Sequence, residues 1–90
     1  MIKEYQEGKY TIYENVYVKY YRVNNKLHRD DDLPAVEYPD GTKEWYQYGK
    51  RHRINGPSVK SFTGYINYYI NGKFYSEKDY YKAIKLLAFL

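Results

Sequence analysis

Ninety residues make one domain near the lower end of what folds unaided, too small to enclose a deep catalytic cavity. The chain holds no cysteine, which excludes disulfides and thiolate metal sites, and no apolar run long enough to span a membrane or serve as a secretory leader. Its formal charge of +4 is segregated: residues 1–29 carry +3, residues 30–44 carry −5, residues 45–75 carry +5 without a single acid, and residues 76–90 add +1. A cytoplasmic location is the expectation.

Fifteen tyrosines, three phenylalanines and one tryptophan make 21% of the chain aromatic. Tyrosine favours strands and joins an apolar body to a polar tip. In chain order, short runs rich in Tyr, Val, Ile, Thr and Phe predict strands at 9–14, 16–24, 35–39, 42–48, 57–62, 65–70 and 73–75. Turn signals separate them: Pro39-Asp40-Gly41, Tyr48-Gly49, Asn55-Gly56-Pro57, Thr63-Gly64 and Asn71-Gly72. Strands joined by tight turns form an antiparallel meander. At Ser76 the period changes. Ser76-Glu77-Lys78-Asp79 reads as an N-cap with an acid at N3, and Tyr80, Ala83, Ile84 and Leu87 recur at helical spacing. One C-terminal helix over 77–88 therefore closes the sheet. Leu86, Ala88, Phe89 and Leu90 leave more apolar surface than one helix face hides, which points to a partner or a second copy of the chain.

The chain repeats itself. Asn25-Lys26-Leu27-His28-Arg29 returns as Gly49-Lys50-Arg51-His52-Arg53, each followed by Pro-small-Val (Pro34-Ala35-Val36, then Pro57-Ser58-Val59). Tyr68-Tyr69-Ile70-Asn71-Gly72-Lys73 is a third, degenerate copy. Aligned, Tyr21, Trp45 and Tyr68 are equivalent and share a sheet face with Val23, Gln47 and Ile70. Tyr20, Glu44 with Tyr46, and Asn67 with Tyr69 take the other face. Both faces carry aromatics, so either each is partly covered or one is a binding platform.

The stretches Lys26–Tyr46 and Tyr48–Pro57 resemble a MORN-like hairpin repeat of tailed-phage and giant-virus proteins, similar to antitoxin-repeat modules. The resemblance covers residues 17–75, and Asn71-Gly72-Lys73-Phe74-Tyr75-Ser76-Glu77 resembles the way such arrays close before a terminal helix. It implies a repeat of hairpins, a phage origin, and a small protein that inhibits a host defence system such as an endoribonuclease toxin.

The candidate site residues fall in two groups. Lys50, Arg51, His52, Arg53, Lys60 and Lys73, with Trp45, Tyr46 and Tyr69, form an acid-free aromatic stretch of the kind that stacks single-stranded RNA beside a positive groove. The competing reading makes those aromatics the core of a small sheet. Tyr80, Ile84, Leu87 and Phe89 are the candidate partner-binding residues of the helix. His28 and His52 allow a metal-free ribonuclease, but repeated residues usually serve packing, and a hydrogen bond at each hairpin corner explains the pair better. Asp30-Asp31-Asp32 reads as a solvated acidic turn rather than a Mg²⁺ or Ca²⁺ site. Glycine-rich phosphate loops, serine elbows and zinc spacings are missing from the sequence.

The expectation is a mainly β domain, an antiparallel meander of hairpin repeats with one C-terminal helix. No enzyme activity, cofactor or metal is expected. The function is non-enzymatic binding that blocks a host protein, a toxin or nuclease, with RNA on the basic aromatic face. A homodimer and no membrane complete the partner list. The alternatives are a general RNA-binding protein, a structural repeat module, and the two-histidine ribonuclease.

Overall fold

The computed structural model describes residues 1–89; Leu90, one of the apolar residues singled out above, lies outside the described residues. The chain is mainly β, an antiparallel meander closed by one C-terminal helix. Eleven strands precede the helix: β1 (Lys3–Glu7), β2 (Tyr10–Glu14), β3 (Lys19–Val23), β4 (Lys26–Leu27), β5 (Val36–Glu37), β6 (Lys43–Glu44), β7 (Tyr46–Gln47), β8 (Lys50–Arg51), β9 (Val59–Lys60), β10 (Ile66–Ile70) and β11 (Lys73–Tyr75), then α1 (Glu77–Leu87). The main sheet runs β1-β2-β3-β5-β6-β9-β10-β11, with β4 on β3 and a separate β7-β8 ladder. The molecule measures 43 × 30 × 17 Å, so it is one sheet thick with a thin covering layer.

Each repeat is built around one aromatic residue at which a strand changes partner. Tyr21 donates its N–H to Ala35 O (2.8 Å) and accepts from His28 N (3.1 Å); Trp45 does the same with Ser58 O (2.8 Å) and His52 N (3.1 Å). Before that residue the strand pairs with the Pro-small-Val segment, β5 or β9. After it the chain turns back on itself as β4, β8 or β11. The hairpin tips need two successive residues with positive φ. Asn24 and Asn25 (50° and 65°), Tyr48 and Gly49 (50° and 85°) and Asn71 and Gly72 (50° and 82°) supply them. Two-residue loops with both central φ positive match the right-handed twist of the strands they join.

The predicted strands at 9–14, 16–24, 65–70 and 73–75 lie within two or three residues of β2, β3, β10 and β11. The predicted 42–48 is interrupted at Trp45, where the ladder changes sides, and 35–39 and 57–62 shrink to the two-residue β5 and β9. Three strands were not anticipated. β4 and β8 hide inside the repeated phrase, and β1 reads Lys-Glu-Tyr-Gln-Glu, a polar run that becomes a strand only by pairing with β2.

The faces divide as the alternation predicts. Tyr21, Trp45 and Tyr68 are buried on one face, with Ile12, Ala35, Ser58 and His28. The loops that follow each His fold back over it: the Arg29 guanidinium lies 3.8 Å from the Tyr21 ring and Arg53 lies 3.9 Å from the Trp45 ring. The third repeat has Ser76 where the earlier ones have arginine. Ser76 N-caps α1, its hydroxyl accepting from Asp79 N, and the helix lays Tyr80 against Tyr68 at 4.5 Å. Tyr80 thus does for the third repeat what Arg29 and Arg53 do for the first two.

Candidate binding face

The opposite face is open. Tyr20, Tyr46 and Tyr69 are half-buried on it, and Tyr13 stacks on Tyr20 at 4.9 Å with the rings 17° apart. Between Tyr20 and Tyr46 lies a groove of about 500 Å³ lined by Tyr17, Val18, Tyr20, Arg22, Leu27, Val36, Tyr38, Glu44 and Tyr46. Val36, itself buried, sits opposite both Tyr20 and Glu44 and forms the floor. A second, shallower hollow bordered by Tyr46, Arg51 and Tyr69 continues the surface towards β11.

The charges on this face are matched. Arg22 pairs with Glu4, and its guanidinium lies 5.4 Å from the Tyr20 ring. Arg51 lies between the Tyr46 and Tyr69 rings, 5.8 and 5.4 Å away, and pairs with Glu44 at 3.1 Å. Glu44 also accepts from the Tyr46 hydroxyl at 2.8 Å. Burial, with the Glu44 carboxylate behind it, pushes the Tyr46 phenol up to about 12, so it remains a donor at neutral pH. The groove is apolar in the middle, with neutralised arginines at its rim.

The nucleic-acid surface expected from the sequence does not assemble as one surface. Trp45, 6% exposed, is covered by Arg53 and donates its indole N–H to Asp32 O (3.0 Å), so no base can stack on it. Arg53 is bound through both sides of its fork to Asp32 (2.9 and 3.2 Å) and donates to Pro57 O (3.1 Å). Lys60 pairs across from Lys43 and Ile66, on the Trp45 face and away from Tyr46 and Tyr69. Of the predicted residues, Tyr46, Tyr69 and Arg51 share the open face. The acidic segment supplies internal counter-charges: Asp32 holds Arg53 and Glu44 holds Arg51 of the basic stretch, and Glu37 lies 3.6 Å from Arg29 of the first segment.

Lys50 and Lys73 sit at hairpin tips opposite Gln47 and Ile70, in the position that Lys26 takes opposite Val23. Each is exposed, and none enters an ion pair among the described residues. Lys26 belongs to this row and was missed from sequence, although its place in the repeated phrase marks it.

His28 and His52 occupy equivalent corners. His28 Nδ1 accepts from Tyr48 N (3.1 Å) and His52 Nδ1 from Asn71 N (3.0 Å), each tying a repeat to the hairpin tip of the next. His28 Nε2 faces Asp30 Oδ1 at 2.8 Å, and its ring packs on Tyr48 at 4.3 Å. His28 is buried and His52 half-buried. Asp30 also takes Lys9 and the Tyr10 hydroxyl, and Lys9 first, then His28, hold its carboxyl down to about 2. Asp30 and Asp32 are thus paired while Asp31 is exposed, and no group of three metal-ligating side chains occurs among the described residues.

The helix residues separate. Tyr80, expected at a partner interface, is 0% exposed: its ring packs on Tyr68 and its hydroxyl donates to Arg53 O (2.7 Å) and accepts from Gly56 N (3.1 Å). It is core. Ile84 and Ala83 pack beside it, whereas Leu87 is exposed and Phe89 is 88% exposed. Tyr17, Val18 and Tyr38 were not anticipated at a site; no repeat or charge signal marks them. No helix of the described residues is long and apolar enough to cross a membrane. No family model, curated protein or solved structure matches the chain.

Proposed function

We propose that the chain is a non-enzymatic binding protein that docks a protein partner on its open tyrosine face. The observation that carries this reading is the groove of about 500 Å³ between Tyr20 and Tyr46, apolar in the middle and charge-neutral at its rim. Tyrosine gives large, rigid, amphipathic contact area with few rotamers to freeze, which is why it anchors protein interfaces. A phosphate backbone needs unmatched cations; Arg22 and Arg51 have carboxylates already. The histidines support the non-enzymatic reading, since both Nδ1 atoms serve backbone N–H groups. The partner class that the repeat resemblance brings, a host toxin or defence ribonuclease bound by a phage-encoded inhibitor, is the first to be tried.

The test is retention of a purified toxin–inhibitor complex, or of partners from bacterial lysate, on immobilised protein after ribonuclease and at about 0.5 M salt, where surface electrostatics are screened. Retention is expected for wild type and for the Lys50→Ala/Lys73→Ala double variant. Tyr20→Ala and Tyr46→Ala, folded by circular dichroism, should each weaken it about 30-fold, the effect of losing an interface anchor worth about 2 kcal/mol. Loss of the complex on nuclease treatment alone would refute the reading.

A second reading has its own support. The exposed row Lys26, Lys50 and Lys73 repeats at successive hairpin tips, about 10 Å apart by two strand spacings, and suits single-stranded RNA. It predicts affinity for a labelled oligonucleotide that falls steeply with salt and vanishes when the three lysines become alanine.

A further inference from the structure

The sheet ends differently at its two sides. At one side α1 packs on β10 and β11. At the other, β1 (Lys3–Glu7) has a partner on one flank only, and all five residues are exposed. An uncovered edge strand is a template for pairing with another chain, and proteins normally blunt it with charge or proline. β1 carries charge, but in an order that matches itself.

We infer that β1 pairs antiparallel with β1 of a second copy about a twofold axis through Tyr5, joining two sheets into one. The argument is one of register. A twofold perpendicular to the sheet keeps each face on its own side, so odd positions must meet odd positions and even meet even. Only a few registers remain. Moving the axis to Glu4 sets Glu4 against Glu4, and axes at Lys3 or Glu7 set like charges together; an axis at Gln6 leaves Glu7 opposite Tyr5. With the axis at Tyr5, Lys3 faces Glu7 on both sides, Tyr5 faces Tyr5, and Glu4 faces Gln6. Opposite charges directly across a strand pair stabilise it and like charges destabilise it.

The hydrogen-bonding groups agree. Glu7 and Tyr10 close the two-residue Gly8-Lys9 turn, so they form a hydrogen-bonded pair, and the alternation turns the N–H and C=O of Glu4 and Gln6 outward. In the Tyr5-centred register those outward groups meet each other. Lys3–Glu7 and Tyr5–Tyr5 then fall at the narrower pairs, where side chains stand closest. Glu4 is already matched by Arg22 of its own chain and brings no free charge to the seam. The dimer would place two tyrosine grooves on the same side of one continuous sheet. This inference is independent of what the groove binds.

Sedimentation equilibrium of the purified full chain tests it. Wild type should dimerise. Lys3→Glu and Glu7→Lys each create two like-charge pairs in the homodimer and should each raise the dimer Kd about tenfold or more. Mixed together, the two variants restore every pair, because positions 3 and 7 are then both acidic on one edge and both basic on the other, and a heterodimer should form. Gln6→Pro removes an outward N–H while leaving the β1–β2 ladder intact, and should be monomeric. A monomeric wild type overturns the inference. So does a dimer that survives all three substitutions, which would place the contact elsewhere, for example at the exposed Leu87 and Phe89.

Discussion

His52 shows how a residue type associated with catalysis can be structural. Its Nδ1 accepts the Asn71 N–H only while unprotonated, and burial pushes the imidazole below its ordinary 6.5. A base whose pKa is depressed by folding lends stability that is complete above the unfolded value and is lost as pH falls towards the folded one. Asp30, held down to about 2, begins to lose its contribution only below 3.8. Urea unfolding at about pH 7.5 and about pH 5 therefore separates His52 from the carboxylate: wild type loses stability, and His52→Ala loses less. At the higher pH His52→Ala should cost about 0.5–1.5 kcal/mol, the net worth of the hydrogen bond to the exposed Asn71 N–H. Ser58 makes the opposite prediction. Its buried hydroxyl has no hydrogen-bond partner among the described residues, and the equivalent residue of the first repeat is Ala35. Ser58→Ala should leave stability unchanged or raise it by about 1 kcal/mol; a loss of that size would show that the hydroxyl is paired.

At the scale of elements, the hairpin and the helix each complete what the other lacks. Gly72 sits at φ 82° with the Lys50 stem 3.6 Å from where a Cβ would stand, which is ordinary contact. Gly72→Ala should therefore cost about 1 kcal/mol through backbone strain rather than a clash. The Tyr80 hydroxyl closes the loop of the second repeat at Arg53 and Gly56. Tyr80→Phe should cost about 1–3 kcal/mol in urea unfolding, more than an exposed tyrosine would, because two half-buried backbone groups lose their partner. The repeated phrase, the turn glycines and the Ser76 cap were legible in the sequence because each rests on local backbone chemistry. The role of Tyr80 was not. Helical spacing places it on the apolar face, but only the third repeat's missing arginine explains why that face turns inward. β1 escaped for a related reason: nothing in Lys-Glu-Tyr-Gln-Glu favours a strand until β2 provides the ladder.

For the whole molecule, the segregated charges of the sequence are brought together by the fold. Asp32 and Glu44 meet Arg53 and Arg51, so the arginines of the basic stretch are neutralised, while Lys50, Lys60 and Lys73 stay exposed without an ion pair among the described residues. The alternation of faces was readable from the aligned repeats. Which face is covered was not, because covering depends on the loops after His28 and His52 folding back over Tyr21 and Trp45. The open face that results carries the proposed function. Photo-crosslinking from single positions tests it most directly, with a benzophenone side chain replacing Tyr46 on the open face or Lys60 on the other. Docking on the tyrosine groove predicts a discrete, ribonuclease-resistant protein adduct from position 46 and none from position 60. Adducts from position 60 alone, or adducts from position 46 that ribonuclease removes, would contradict it.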